Sequence, residues 1–171
     1  MAASTGDSLQ IRQLQTDDWA ALIDIYNHYI LTSPCTFDTE PYNTEARTPW
    51  FSQFSADTPY QCLVALVDQQ LLGYACSTRF KERPAYSTSV EVSVYVAHNL
   101  HNRGVGHQLY SALFDRLQEF TLHRAYAGIV LPNDASVKLH SRMGFAEAGR
   151  FREVGYKFDQ YWDVAWFEKP L

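Results

Sequence analysis

The chain has 171 residues, 46% hydrophobic and 15% aromatic, which is long enough for one globular domain with a full core. A formal net charge of −5 at pH 7 argues against nucleic acid as the main partner, because phosphate contacts need clustered Lys and Arg. No apolar run approaches a membrane span, and the small polar start of the chain lacks the apolar stretch of a signal peptide.

The expectation is a cytoplasmic protein with no membrane partner, residues 1–7 forming a flexible tail before one domain over 8–171. Cys35, Cys62 and Cys76 are odd in number and widely spaced, which fits reduced thiols rather than a disulfide set or a CxxC metal site. Residues 9–14 alternate apolar and polar and read as a strand. Thr16, followed by Asp17 and Asp18, reads as the N-cap of a helix whose stripe is Trp19, Leu22, Ile23, Tyr26, Tyr29 and Ile30. Thr44 reads as the cap of a second helix running to Phe54, with Pro49 disturbing its register. Residues 61–67 and 71–80 form a hairpin around Asp68-Gln69-Gln70, and 87–96 is a further strand. A helix over 104–122, a strand over 125–130, a helix over 133–143 and strands over 145–151 and 163–168 complete a mixed-sheet α/β (or α+β) domain.

Chemistry concentrates in three places. After a β-branched strand, Gly104 and Gly106 open a helix whose first amides and dipole suit a phosphate group. A nicotinamide-type fingerprint needs a third glycine where Leu109 stands, and a nucleotide P-loop needs Gly-Lys-Ser/Thr; both fail. What remains is pyrophosphate held mainly by main chain, with Arg103 nearby. Glu91 stands in the strand Val90-Glu91-Val92-Ser93-Val94-Tyr95-Val96, where a carboxylate is costly unless it has a buried partner or a task. In the helix starting at Asn133, a good N-cap, His140 shares a line with Val137 and Met143 and points inward, while Gly144 ends the helix.

The loop His101-Asn102-Arg103-Gly104-Val105-Gly106 and the segment from Asn133 through Ser136 and His140 to Gly144-Phe145 together resemble the GNAT superfamily of N-acetyltransferases. The family's first loop residue, Arg or Gln, is here His101, and its usual Tyr is His140. That second exchange narrows the resemblance to the phosphinothricin N-acetyltransferase subfamily. It is carried further by Tyr26-Asn27-His28-Tyr29-Ile30, Phe37-Asp38-Thr39-Glu40-Pro41 and Gly155-Tyr156-Lys157-Phe158 to Trp162-Asp163-Val164.

The resemblance implies a GNAT-type acyl-CoA N-acyltransferase fold, acetyl-CoA as co-substrate, no metal and no cysteine nucleophile. It places the cofactor on Val94, Tyr95, Val96, His101, Asn102, Arg103, Gly104, Val105, Gly106, Asn133 and Ser136. Glu91 becomes the general base, and His140 the group that protonates or stabilises the departing thiolate. Phe37, Lys81, Arg83, Tyr86 and Ser93 would hold a small anionic amino acid. Ser93 stands where herbicide-detoxifying members have Thr, and Ser87-Thr88 replaces an Asp-Trp pair, so methionine sulfone, methionine sulfoximine and an arsenic analogue stay beside phosphinothricin as acceptors. A protein or peptide N-acetyltransferase and a non-catalytic acyl-CoA sensor are the alternatives. The aromatic stretch 155–162 is expected to line the acceptor pocket or a homodimer interface.

Overall fold

The computed structural model describes residues 8–98 and 104–171. Seven strands form one mixed sheet in the order β1-β2-β3-β4-β5-β7-β6. In chain order the elements are β1 (Gln10–Gln13), α1 (Trp19–Thr32), α2 (Thr44–Phe51), β2 (Cys62–Val67), β3 (Gln70–Arg79), β4 (Ser89–Val96), α3 (Val105–Leu117), β5 (Arg124–Leu131), α4 (Asp134–Arg142), β6 (Ala146–Lys157) and β7 (Gln160–Pro170). Among the described residues no helix is long and apolar enough to cross a membrane. The proposed tail, residues 1–7, lies outside the described residues.

The alternation of β4 decides which face each layer covers. Val90 and Val92 sink into the core beneath α3, with Leu109, Leu113, Phe145 and Phe167. The opposite face of the sheet is covered by α1 and α2, where Leu22, Ile23, Phe51, Cys62, Tyr74 and Cys76 pack, with Tyr95 against them. Cys62 and Cys76 are buried, directly opposed thiols on β2 and β3.

Several element boundaries differ from those expected. Thr16 does not cap α1: residues Thr16–Asp18 form a 3₁₀ turn, closed by a capping box between Gln15 and Asp18. Asp18 is drawn into that role because its carboxylate also binds Arg12 at 2.6 and 2.9 Å. Asn43, not Thr44, caps α2 by accepting from Ala46 N–H at 2.8 Å, and α2 ends at Phe51, short of Phe54. Helix α3 stops at Leu117 rather than 122. The last two strands are longer than expected and meet at Phe158-Asp159, both left-handed (φ 54° and 58°), the geometry of a tight two-residue hairpin turn.

One feature of the sheet positions the site. Strands β4 and β5 run parallel, but their pairing is confined to Ser89↔Arg124, Val90↔Ala125 and Glu91↔Tyr126. Beyond Glu91 both strands continue, to Val96 and Leu131, and part from one another.

Candidate active site

The parting strands open a cleft of about 430 Å³, floored by Ser93, Val94, Tyr95 and Val96 on one side and Ala127–Val130 on the other. Gly106, Tyr110, Asn133, Ser136 and His140 close it from the helices, and Tyr29 and Cys35 from the opposite layer. Eight of the expected residues therefore meet in one place: Ser93, Val94, Tyr95, Val96, Gly106, Asn133, Ser136 and His140.

Main-chain direction can be assigned along β4. Ala97 N–H donates to Leu72 O at 2.8 Å, and a Cβ added at Gly73 would lie 2.6 Å from Tyr95 O, so Ala97 and Tyr95 both address β3. By alternation the main chain of Val94 and Val96 faces the cleft. Tyr29 reaches Val96 O from that side, its hydroxyl donating at 2.6 Å. The Tyr95 main chain is thus turned away from the cleft and offers it no N–H. Its ring instead meets Tyr26, Tyr29 and Tyr74 at centroid distances of 5.1, 5.3 and 5.4 Å.

Helix α3 enters the cleft end-on. Gly104 is left-handed (φ +75°), a conformation costly to any residue with a Cβ, and its carbonyl takes the first helical bond, from Gln108 N–H. The amides of Val105, Gly106 and His107 precede that bond and have no acceptor within the helix. Val105 contributes only main chain, because its side chain is buried in the core. At Gly106 an added Cβ would lie 3.3 Å from Leu139 and 3.7 and 3.8 Å from Val96 and Val94, so the helix start sits close on β4. His101, Asn102 and Arg103 lie outside the described residues. An amide-lined helix start beside two valine main chains fits a phosphate-bearing, extended thioester such as acetyl-CoA.

His140 is 4% exposed, and both its nitrogens are engaged. Nδ1 lies 2.8 Å from Ser136 O, which can only accept, so Nδ1 carries the proton. Nε2 then accepts from the Tyr110 hydroxyl at 2.9 Å. Burial holds the imidazole below its ordinary pKa and the Tyr110 hydroxyl well above its own, so both groups are neutral at pH 7. Phe145 stacks edge-on at 5.2 Å, on a chain turned back by Gly144 (φ +87°). Tyr110 escaped the sequence reading, although it stands four residues after Gly106 and so shares its helix face.

Glu91 lies where β4 and β5 part, on the same face as Ser93 and Tyr95. Burial pushes its carboxyl above the ordinary value, and the Lys81 ammonium pulls it partly back. Among the described residues it forms no ion pair at contact distance. Lys81 lies 5.1 Å from the Phe80 ring centroid and 5.9 Å from that of Trp166. Phe80 stacks on Tyr126, the cross-strand partner of Glu91, at 4.3 Å and meets Tyr86 at 5.8 Å. Lys81 and Tyr86 thus gather on the Glu91 side through Phe80, while Arg83 is exposed and only opens the short turn Pro84–Tyr86. Phe37 is outside the cleft and rests against Gly155. Among the described residues no three His, Cys, Asp or Glu side chains are placed to hold a metal ion.

Comparison with known proteins agrees with this geometry. The acetyltransferase (GNAT) domain family matches residues 11–166. A Streptomyces coelicolor phosphinothricin N-acetyltransferase is 51% identical over 165 residues, covering 95% of this chain and 96% of the relative. An L-methionine sulfoximine/L-methionine sulfone acetyltransferase of Salmonella typhimurium is 29% identical, covering 95% of each. The crystal structure of a GNAT phosphinothricin acetyltransferase from Sinorhizobium meliloti in complex with acetyl-CoA has a TM-score of 0.90 at 27% identity, covering 95% of this chain and 88% of the other. The forked sheet, the glycine-opened helix and these matches place the chain in the GNAT acetyltransferase family, in the branch similar to phosphinothricin N-acetyltransferases, as an acetyl-CoA-dependent enzyme.

Proposed function

We propose that the protein acetylates the free amine of a small anionic amino acid, of the class of phosphinothricin, methionine sulfone and methionine sulfoximine. The observation that carries this reading is Glu91, a half-buried carboxylate with no ion-pair partner among the described residues, at the fork of the sheet and within the field of Lys81. The acetyl donor supplies an activated carbonyl and a thiolate leaving group. Glu91 takes a proton from the substrate ammonium through water, and the neutral nitrogen then forms its bond to the carbonyl carbon. Cleft-facing N–H groups of Val94 and Val96 stabilise the oxyanion, and the carbon–sulfur bond breaks as it collapses. His140 has no spare N–H and the Tyr110 proton is committed to its Nε2, so this pair shapes the cleft wall, and the departing sulfur takes the second proton released by the attacking nitrogen as the amide forms. Lys81, Arg83 and Tyr86, with Phe37 and Ser93, take the acceptor's anionic and apolar parts.

The same reading assigns the enzyme to the cytoplasm, in keeping with its three free cysteines, and makes it a homodimer through the outer face of β6 and β7. Thiol release from acetyl-CoA is expected with methionine sulfone or phosphinothricin and not with peptides. Glu91→Gln should lower kcat about 100-fold or more while acetyl-CoA binding stays unchanged. Undiminished turnover in that variant removes the base assignment. Binding of acetyl-CoA with no turnover over a broad amine panel means a sensor, and preferred turnover of peptides means a protein acetyltransferase.

A further inference from the structure

Strand β6 alternates two kinds of residue near its end. Tyr156 and Phe158 are exposed, whereas Gly155 and Lys157 are buried and face the loop between α1 and α2. The Lys157 ammonium, 5% exposed, donates to Ser33 O at 2.9 Å and Thr36 O at 2.8 Å. The same loop is tied from α1: the Tyr26 hydroxyl donates to Asp38 at 2.6 Å and shares a hydrogen bond with the Thr36 hydroxyl at 2.7 Å. Between these ties the tip of the Phe37 ring is driven onto Gly155. A Cβ built there would lie 2.0, 2.3 and 2.5 Å from three ring carbons. Gly155 is not left-handed, so its backbone would accept alanine; only the Phe37 ring requires glycine.

We propose that Gly155 is a specificity-determining residue: its missing side chain seats the Phe37 ring and so fixes the apolar wall met by the acceptor amino acid. This rests on the reading that Phe37 borders the acceptor. The anchoring of residues 33–38 leaves the ring, rather than the loop, as the part that must move when position 155 acquires a side chain. A displaced ring reshapes the acceptor side and leaves the cofactor side, formed by β4, α3 and α4, untouched.

The test is a double-mutant cycle of Gly155→Ala and Phe37→Ala, read by steady-state kinetics on methionine sulfone and phosphinothricin and by thermal unfolding. Gly155→Ala should raise the acceptor KM about tenfold or more, with the acetyl-CoA KM unchanged. In the Phe37→Ala background, Gly155→Ala should change neither the acceptor KM nor the melting temperature, because the ring it strikes is gone. If the single Gly155→Ala chain does not fold, the double variant still should, and equality with Phe37→Ala alone remains the required result. An unchanged acceptor KM in Gly155→Ala, or additive effects in the double variant, overturns the proposal. Wild-type protein that turns over no amino acid overturns the functional reading and the acceptor role of Gly155 with it, while the unfolding cycle would still register the ring contact by itself.

Discussion

Two carboxyl and imidazole environments set the chemistry at the scale of single residues. His140 spends its one proton on Ser136 O and its one lone pair on Tyr110, an arrangement of position rather than of proton donation. The inward direction of His140 was legible from its spacing to Val137 and Met143. Its partner was not, since only the crossing of α3 and α4 brings Tyr110 within 2.9 Å. For Glu91 the sign of the pH effect follows from its raised pKa. The base form accumulates as pH rises through a value above that of an ordinary glutamate, so kcat should fall on the acid side, starting at higher pH than a solvated carboxyl would dictate. Lys81 opposes the rise, so Lys81→Met should carry the acid limb of the kcat–pH profile to still higher pH. A limb that stays in place, or moves toward acid, contradicts the coupling between these two groups.

At the scale of elements, the glycine-opened helix behaved as its sequence implied. Among the described residues the nearest side-chain atom to a Cβ added at Gly104, Gln108 Nε2, is 4.0 Å away. Substitution there therefore tests conformation alone. Gly104→Ala should cost about 1–2 kcal/mol of stability and weaken acetyl-CoA binding, whereas Gly104→Asn should lose less of both, because Asn tolerates the left-handed region. Denaturant unfolding with an acetyl-CoA titration reads both quantities, and equal losses in the two variants would show that strain is not the cause. Other elements were harder to read. The β6–β7 turn is made by Phe158-Asp159, with neither Gly nor Asn, so nothing local announced the hairpin or its length. Its left-handed pair is sustained by the strands on either side and by Trp162 Nε1 donating to Lys157 O at 2.8 Å. Asn43 outcompeted Thr44 as a cap simply because it stands one residue earlier, with its carbonyl oxygen on Ala46 N–H.

The whole molecule shows one surface that its own chain leaves uncovered. Phe151, Val154, Tyr156, Phe158 and Tyr161 are each at least half exposed along β6 and β7. A run of apolar and aromatic side chains on an edge hairpin is unusual for a monomer in water. The stretch 155–162 was expected to face either the acceptor or a partner; alternation divides it, the odd residues 155 and 157 turning inward and the neighbouring aromatic residues outward. Sedimentation or light scattering should find a dimer at micromolar concentration, and Tyr156→Glu with Tyr161→Glu should yield monomers. A wild-type monomer under those conditions refutes the dimer. The succession of elements and the mixed-sheet class were readable because several motifs along the chain agreed; the uncovered face was only half readable, because period-two burial depends on which side another layer happens to occupy.

Strands β1–β4 and strands β5–β7 are stitched together by Ser89, Val90 and Glu91 against Arg124, Ala125 and Tyr126. The last stitch is also the seat of the proposed base. Mechanical continuity of the sheet and the aim of the carboxylate thus share one short seam, so a change that loosens this seam must register at once as fragility and as lost catalysis. Selection for a different acceptor has far more freedom at the outlying loop and hairpin than at that join.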